Sequence, residues 1–462
     1  DPAVAYAAVD RGRLDDQTPY IYRTRDYGAT WQRVTSGITA PAFLRGVRED
    51  PQSKGLLFAG TEFGVYVSWD DGEHWQSLQL NLPVTGVRDL AIHGDDLLIA
   101  TFGRAFWILD NITPLRQALE AKRVGRPFLY SPATAVRIDN DSFSGTPLPP
   151  EEPAAENPPS GAVMDYFLPS AASSVRLEIF DAQNNLVRTF SSRQRSSEDR
   201  SSKDHSLKDQ GATKHPALPV AERWFPKPEV LEKSAGMHRF VWNLTWGSSG
   251  GPSADEEAEY RNPTGPKTVP GIYKVRLTVD GKSQDQSLRV VMDPRSPATP
   301  EVLTQQLQLG RQIFAETIEA RRALAEINSV QKQLADIQQK LGQQKGGPQS
   351  AQLKQALSEA QQEIGKILTN KERIPGEDLG LQNAYAGLAS ALRVVESGDR
   401  AVPSQAIEVY QESSRQVRAR IAEWTQFKQT KLAQLNRQLR EASLDPIAIA
   451  EVERLVEFLI SR

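Results

Sequence analysis

Over the first 115 residues, apolar and polar positions alternate in short runs that end in turn residues. Tyr20-Ile21-Tyr22-Arg23-Thr24 runs into Asp26-Tyr27-Gly28, and Trp31-Gln32-Arg33-Val34 returns. Gly64-Val65-Tyr66-Val67-Ser68 runs into Asp71-Gly72, and Trp75-Gln76-Ser77-Leu78 returns. A period of two bounded by Asp and Gly predicts β-hairpins. The same alternation resumes at 175–180, turns at 181–185 and returns at 186–190, with further strands expected at 236–244, 270–279 and 286–291. Short strands punctuated by Gly, Pro and Asn predict a β-sandwich over 166–293.

The period then changes. Thr299-Pro300-Glu301 is a helix start with proline in its first turn, and Leu324, Ile327, Leu334, Ile337 and Leu341 follow at three/four spacing. A break at 342–348 is followed by expected helices at 350–370 and 379–397. A longer one from Ser404 carries Tyr410, Val417, Ile421, Trp424, Leu432, Leu435 and Leu439 on one stripe. These patterns predict a C-terminal antiparallel helical bundle over 299–462 with coiled-coil-like seams. The amphipathic stretch 447–460 is expected to dock on it. Residues 116–165 read as a linker with extended segments, rich in Pro, Gly and acid from Gly145 to Gly161. A Ser- and charge-rich insertion interrupts the sandwich near 191–215.

Within the first region a phrase repeats. Thr24-Arg25-Asp26-Tyr27-Gly28-Ala29-Thr30-Trp31 and Ser68-Trp69-Asp70-Asp71-Gly72-Glu73-His74-Trp75 keep hydroxyl, Asp, Gly and Trp in register, with Asp26 and Asp70 forty-four positions apart. Asp110 falls in the same frame forty further on, because residues 59–67 lie over 99–107. That period is the length of a four-stranded propeller blade. In each phrase the Asp accepts hydrogen bonds from its own turn, Gly supplies a positive φ, and Trp covers the turn. Thr24, Asp26, Gly28, Trp31, Ser68, Asp70, Gly72, Trp75 and the decayed Asp110 are therefore expected to be structural. Fewer than three blades are present, where closed rings use four to eight, so an incomplete propeller is expected at 1–115.

The phrase is the Asp-box, or BNR repeat, of sialidases, sortilin-type receptors, two-propeller xyloglucanases and photosystem assembly factors. Residues 43–51, 55–68, Leu90 and 100–110 carry the likeness further. They resemble a large bacterial family of BNR-repeat proteins labelled glycosyl hydrolase or sortilin-like, with Phe102 standing where that family's Thr-His-Gly-Arg phrase has His. The strand phrases of the middle region resemble an Ig-like module of the flagellar hook-cap type. The resemblance implies a multidomain exported protein, secreted, periplasmic or cell-surface, and the chain reads as its C-terminal part. The missing N-terminal blades, from the same full-length chain or another, would close the ring. The resemblance also implies a recognition or scaffold role, with a glycan or protein bound at the propeller face and the helical bundle available for oligomerisation. Its alternative is the accessory C-terminal part of a glycoside hydrolase, sialidase- or xyloglucanase-like, with catalytic carboxylates mainly in missing blades.

Composition narrows the chemistry. A net charge of −3 with 24% charged residues gives no basic excess for nucleic acid. No apolar run is long enough for a membrane span. Cysteine is absent, removing thiolate nucleophiles and Cys-ligated zinc. His74, His93, His205, His215 and His238 form no metal spacing, and no phosphate loop or nucleotide fingerprint occurs, so no cofactor or metal is expected. Asp95-Asp96 reads as a solvated turn rather than a calcium site. A glycosidase needs two carboxylates across one sugar bond. The candidates are Glu62, Asp89 and Asp110, with Arg88 and Arg104 nearby but at no diagnostic spacing, and no catalytic pair is assigned. Trp224 and Trp246 are candidate glycan-stacking residues, expected instead to serve as core.

Overall fold

The computed structural model describes residues 1–138, 157–192, 230–247, 265–342, 348–369 and 380–449. Trp224, His205, His215, residues 145–156 of the expected linker, most of the insertion and positions 450–460 lie outside them. Among the described residues the molecule is mixed β and α, with five sheets followed by a group of helices.

Three antiparallel meanders come first. The first sheet holds β1 (Ala5–Ala8), β2 (Ile21–Thr24) and β3 (Gln32–Arg33). The second holds β4 (Leu44–Glu49), β5 (Leu57–Thr61), β6 (Val65–Ser68) and β7 (Gln76–Ser77). The third holds β8 (Val87–His93), β9 (Asp96–Thr101) and β10 (Phe106–Leu109). β5 shows why they stack. Every residue of it is buried: Leu57 and Ala59 join Ile21, Val34 and Trp75 between the first two sheets, and Phe58 on the opposite pleat joins Val87, Leu90 and Ile99 between the second and third. Ion pairs add to the first seam, where the buried Arg23 reaches Asp71 and Glu73 of the next sheet.

After β10 the chain does not return as a fourth strand. Asn111 turns at φ 59°, and α1 (Thr113–Val124) follows with Pro in its first turn and Gly125 closing it in the left-handed region. α1 is pinned across the second and third sheets. Its Arg116 Nε donates to the fully buried carboxylate of Asp50 at 2.8 Å and pairs with Asp95, and Trp69 Nε1 donates to Leu115 O at 2.8 Å. The span 116–165 is thus not simply a linker. It carries most of α1 and then β11 (Phe128–Leu129), β12 (Ala135–Arg137) and the start of β13 (Ala162–Leu168).

Two facing sheets share the next core. One is ordered β11-β13-β16, with β16 at Gly236–Trp242; the other is β12-β18-β17-β14-β15. The strands of the latter are β14 (Val175–Phe180), β15 (Leu186–Ser191), β17 (Gly271–Val279) and β18 (Lys282–Met292), with β12 parallel to β18. Met164, Tyr166 and Trp242 of the first pack with Leu177, Ile179, Val275 and Leu277 of the second. Trp246 is buried in the same core and is unavailable for stacking on a ligand.

The helices are α2 (Pro300–Gly342), α3 (Pro348–Leu368), α4 (Leu381–Val395) and α5 (Ser404–Phe427), the last running through a π-turn at Lys428–Leu432 into α6 (Ala433–Glu441). One apolar core joins them. Val417, Trp424, Leu432, Leu435 and Leu439 lie in it, and Tyr410 and Ile421 pack at its margin. Among the described residues no helix is long and apolar enough to cross a membrane.

Candidate functional site

Each of the first sheets has two ends with different jobs. At one end lie the repeated phrases. Thr24 Oγ1 donates to Asp26 Oδ1 at 2.8 Å and accepts the Gly28 N–H at 2.9 Å. Asp26 in turn accepts the Thr30 N–H and hydroxyl at 2.8 and 2.6 Å. In the second phrase Ser68 donates to Asp70 and accepts the Gly72 N–H, and Asp70 accepts the His74 N–H and binds the His74 ring at 2.7 Å. Gly28 and Gly72 sit at φ 89° and 88°, which only glycine adopts at little cost. Hydrogen bonds from the Thr30 side chain and backbone, and from Thr24, hold the Asp26 carboxyl down at about 2. Burial pushes Asp70 upward, but the His74 and Ser68 bonds outweigh it and leave it below the usual carboxylate range. Both aspartates are committed to their own turns.

Asp110 differs. It precedes α1 rather than a returning strand, and its carboxylate makes no turn hydrogen bond among the described residues. Burial, then the nearby Asp96, push its carboxyl up, with Arg239 opposing. What it keeps is a role at a seam. Arg239 of β16 donates to the carbonyls of Asp110 and Asn111 and to the buried carboxylate of Asp165, which also accepts the Asn111 side-chain amide. This cluster fastens the third sheet to the facing-sheet core.

The other end carries the remaining candidates. β4 and β8 each contain a β-bulge at the same place. The register steps from Leu44/Thr61 to Gly46/Gly60 and from Val87/Thr101 to Asp89/Ala100, leaving Arg45 and Arg88 as the extra residues. A bulge re-aims the side chain it carries. The adjoining hairpin tips are also built alike. Thr61 Oγ1 caps its turn through Gly64 O and Phe63 N, and Thr101 Oγ1 does so through Ala105 O and Arg104 N. Glu62 N–H donates to Phe43 O, and Phe102 N–H to Gly86 O, tying each tip to the residue before the bulged strand.

The two arginines then part ways. Arg45 lies over the Phe43 ring at 4.9 Å and is paired with Asp10 at 2.5 Å and Glu62 at 3.6 Å. Arg88 lies 4.2 Å over the ring of Phe102, which is 66% exposed, and no carboxylate among the described residues pairs with it. In the repeat frame Phe102 stands where Glu62 stands one sheet earlier, which removes one carboxylate from beside Arg88. Asp89 pairs with Arg48 at 2.7 Å between β8 and β4. Arg104 is exposed at its hairpin tip. Glu62, Asp89 and Asp110 are therefore held in three separate sets of contacts, Glu62 by Arg45, Asp89 by Arg48, and Asp110 at the Arg239 seam.

The sequence reading did not single out Arg45, Asp10 or the bulges. The match of Leu44-Arg45-Gly46 with Val87-Arg88-Asp89 rests on the strand pairing, since the forty-residue frame lays Leu44 over Val84 instead. Asp95 and Asp96, weighed as calcium ligands, serve Arg116 and the Asn111 N–H. No group of three or more His, Cys, Asp or Glu among the described residues could hold a metal ion.

No family model matches the chain, and no curated protein matches it. Among solved structures, a chain described as YCF48 bound to D1 peptide is similar at 14% identity, over 38% of this chain and 48% of that one, with a TM-score of 0.17. The chain thus spans about half the length of that structure, and a likeness this low carries no argument about fold or function.

Proposed function

We propose that this chain is the non-catalytic recognition and scaffold part of an exported BNR-type propeller protein, and that it binds a glycan or protein at the bulged ends of β4 and β8. The three meanders would be successive blades. The facing sheets would be an Ig-like spacer, and the helices an assembly module. The observation that carries the reading is the contrast between Arg45, neutralised by two carboxylates, and Arg88, stacked on an exposed Phe102 with none among the described residues. A partly exposed guanidinium backed by an aromatic ring favours a ligand with an anionic or hydrogen-bond-accepting group.

The test is binding of the whole protein to glycan and peptide arrays, repeated with Arg88→Ala and Phe102→Ala. Loss of binding in both variants at unchanged stability supports the reading. Binding that survives both overturns it. Turnover of a glycan that Glu62→Gln or Asp89→Asn abolishes would favour the glycoside hydrolase instead.

A further inference from the structure

The stack of three meanders has two outer ends, and the seams inside it show what each end lacks. Between the second and third sheets, Phe58 of β5 and Val65 and Val67 of β6 form one buried pleat. The ladder pairs Val65 with Gly60 and Val67 with Phe58. The third sheet repeats this build. Phe106 pairs with Ala100 and Ile108 with Leu98, and Ala100 and Leu98 stand forty positions after Gly60 and Phe58. In the first sheet Ile21 and Arg23 stand forty-four positions before Val65 and Val67, and they too are buried. Phe106 and Ile108, by contrast, are 83% and 56% exposed. Ala91, cross-strand to Leu98 and exposed, extends that apolar face onto β8. One pleat is thus covered twice in the stack and bare the third time, which marks it as an interaction surface.

The opposite end is the outer pleat of the first sheet. Tyr6, Ala8 and Ile21 pack toward the second sheet, which leaves Ala5, Ala7 and Tyr22 on the other side. Tyr22 stands forty-four positions before Tyr66, which packs into the seam between the first and second sheets. Trp31 likewise stands where Trp75 stands, and Trp75 is buried in that seam while Trp31 is exposed. The first sheet therefore carries the face with which a sheet covers the one before it. Among the described residues that face joins no apolar cluster. The charges at the two ends are opposite. Arg33, cross-strand to Tyr22 and exposed, lies 4.7 Å over the Tyr20 ring and pairs with no carboxylate among the described residues. Asp96, on the pleat of Leu98, and the neighbouring Asp110 border the third-sheet face, and neither is ion-paired among the described residues.

We propose that two copies of this chain stack end to end, the first sheet of each covering the third sheet of the other. The occupant is a second copy because the covering face missing at one end is the face the chain offers at its other end, with Arg33 brought to Asp96. Two such contacts join six sheets, within the four to eight that a closed ring uses. The stacking follows from the seams alone; the count of six rests on reading the meanders as blades.

Light scattering of the full chain over a concentration series tests it, and the expected mass is that of two chains. Phe106→Lys and Ala7→Arg each spoil one end, so either variant alone should give the mass of a single chain with native circular dichroism. Mixed together they should recover a dimer weaker than the native one, because one of its two contacts keeps both natural faces. If Ala7→Arg does not fold, Arg33→Glu at an exposed position takes its place. A single-chain mass for the native protein overturns the proposal, as do masses that keep growing with concentration. A dimer that persists in Ala7→Arg alone would set third sheet against third sheet, and one that persists in both variants would set the contact elsewhere; either overturns it. Failure of the mixture to recover a dimer does the same. Array binding through Arg88 is scored separately: a monomer that binds ligand sinks the stacking and leaves the recognition reading standing, and a dimer that binds nothing does the reverse.

Discussion

Trp31 and Trp75 close the same eight-residue phrase on the same kind of hairpin, yet Trp31 is 46% exposed and Trp75 only 3%. The turns beneath them are alike in every hydrogen bond that defines the phrase. The difference lies next door. Trp75 Nε1 donates across the seam to Val34 O of the first sheet, and its ring packs with Ile21, Val34 and Leu57. Trp31 has no such neighbour among the described residues, and its indole N–H turns back to Gly28 O. The phrase makes a turn; burial of its tryptophan is decided by the adjoining sheet.

The largest expected effect tests that division. Trp75→Ala should cost about 3–5 kcal/mol in urea or thermal unfolding, as truncation of a buried aromatic does, while Trp31→Ala should cost about 1 kcal/mol or less. Equal losses would mean that the local turn, not the seam, is what the ring supports. A sharper version uses the paired glycines. A Cβ on Gly72 would lie 3.1 Å from Val34 Cγ2, whereas one on Gly28 meets nothing closer than 3.9 Å. Gly28→Ala should lose about 1 kcal/mol from its positive φ alone, and Gly72→Ala about 1 kcal/mol more from crowding the seam. The smallest effect concerns acid. Because the Asp26 carboxyl is depressed to about 2 in the folded state, its contribution is complete above the ordinary value of 3.8 and fades as pH falls through about 2. Thr30→Val should raise that midpoint in an NMR titration without moving the midpoint of Asp70; a shift of both would show that the two turns are coupled.

Much of this architecture was legible. Alternation marked β2, β6, β14 and β17 because each buries at least one pleat, and the stripe from Val417 to Leu439 marked the long helix because one face is core. The helix at the start of the 116–165 region escapes the sequence pattern for a physical reason. α1 buries fully only Pro114 and Ala121, and it is fastened at Leu115 and Arg116 by polar contacts to Trp69 and Asp50 that leave no periodic trace in a sequence. Asp110 sat in the right frame, yet nothing local announced that the next residues would form a helix instead of a strand. The Arg45 and Arg88 bulges were invisible to alternation because a bulge breaks the period it would be read from. The Arg137–Asp399 pair joins residues 262 positions apart, and it emerges only once the chain is folded.

Those bulges also bear on how such a surface could change. The extra residue in each strand stands outside the ladder, so the register on either side is maintained by Leu44 and Gly46, or Val87 and Asp89, whatever side chain lies between. Positions 45 and 88 are therefore places where the molecule can alter what it offers to a visitor while its hydrogen-bonded frame stays as it was. Variation there leaves the ladder intact, so its cost is set by the contacts of the side chain itself, which for position 45 include Asp10 and Glu62.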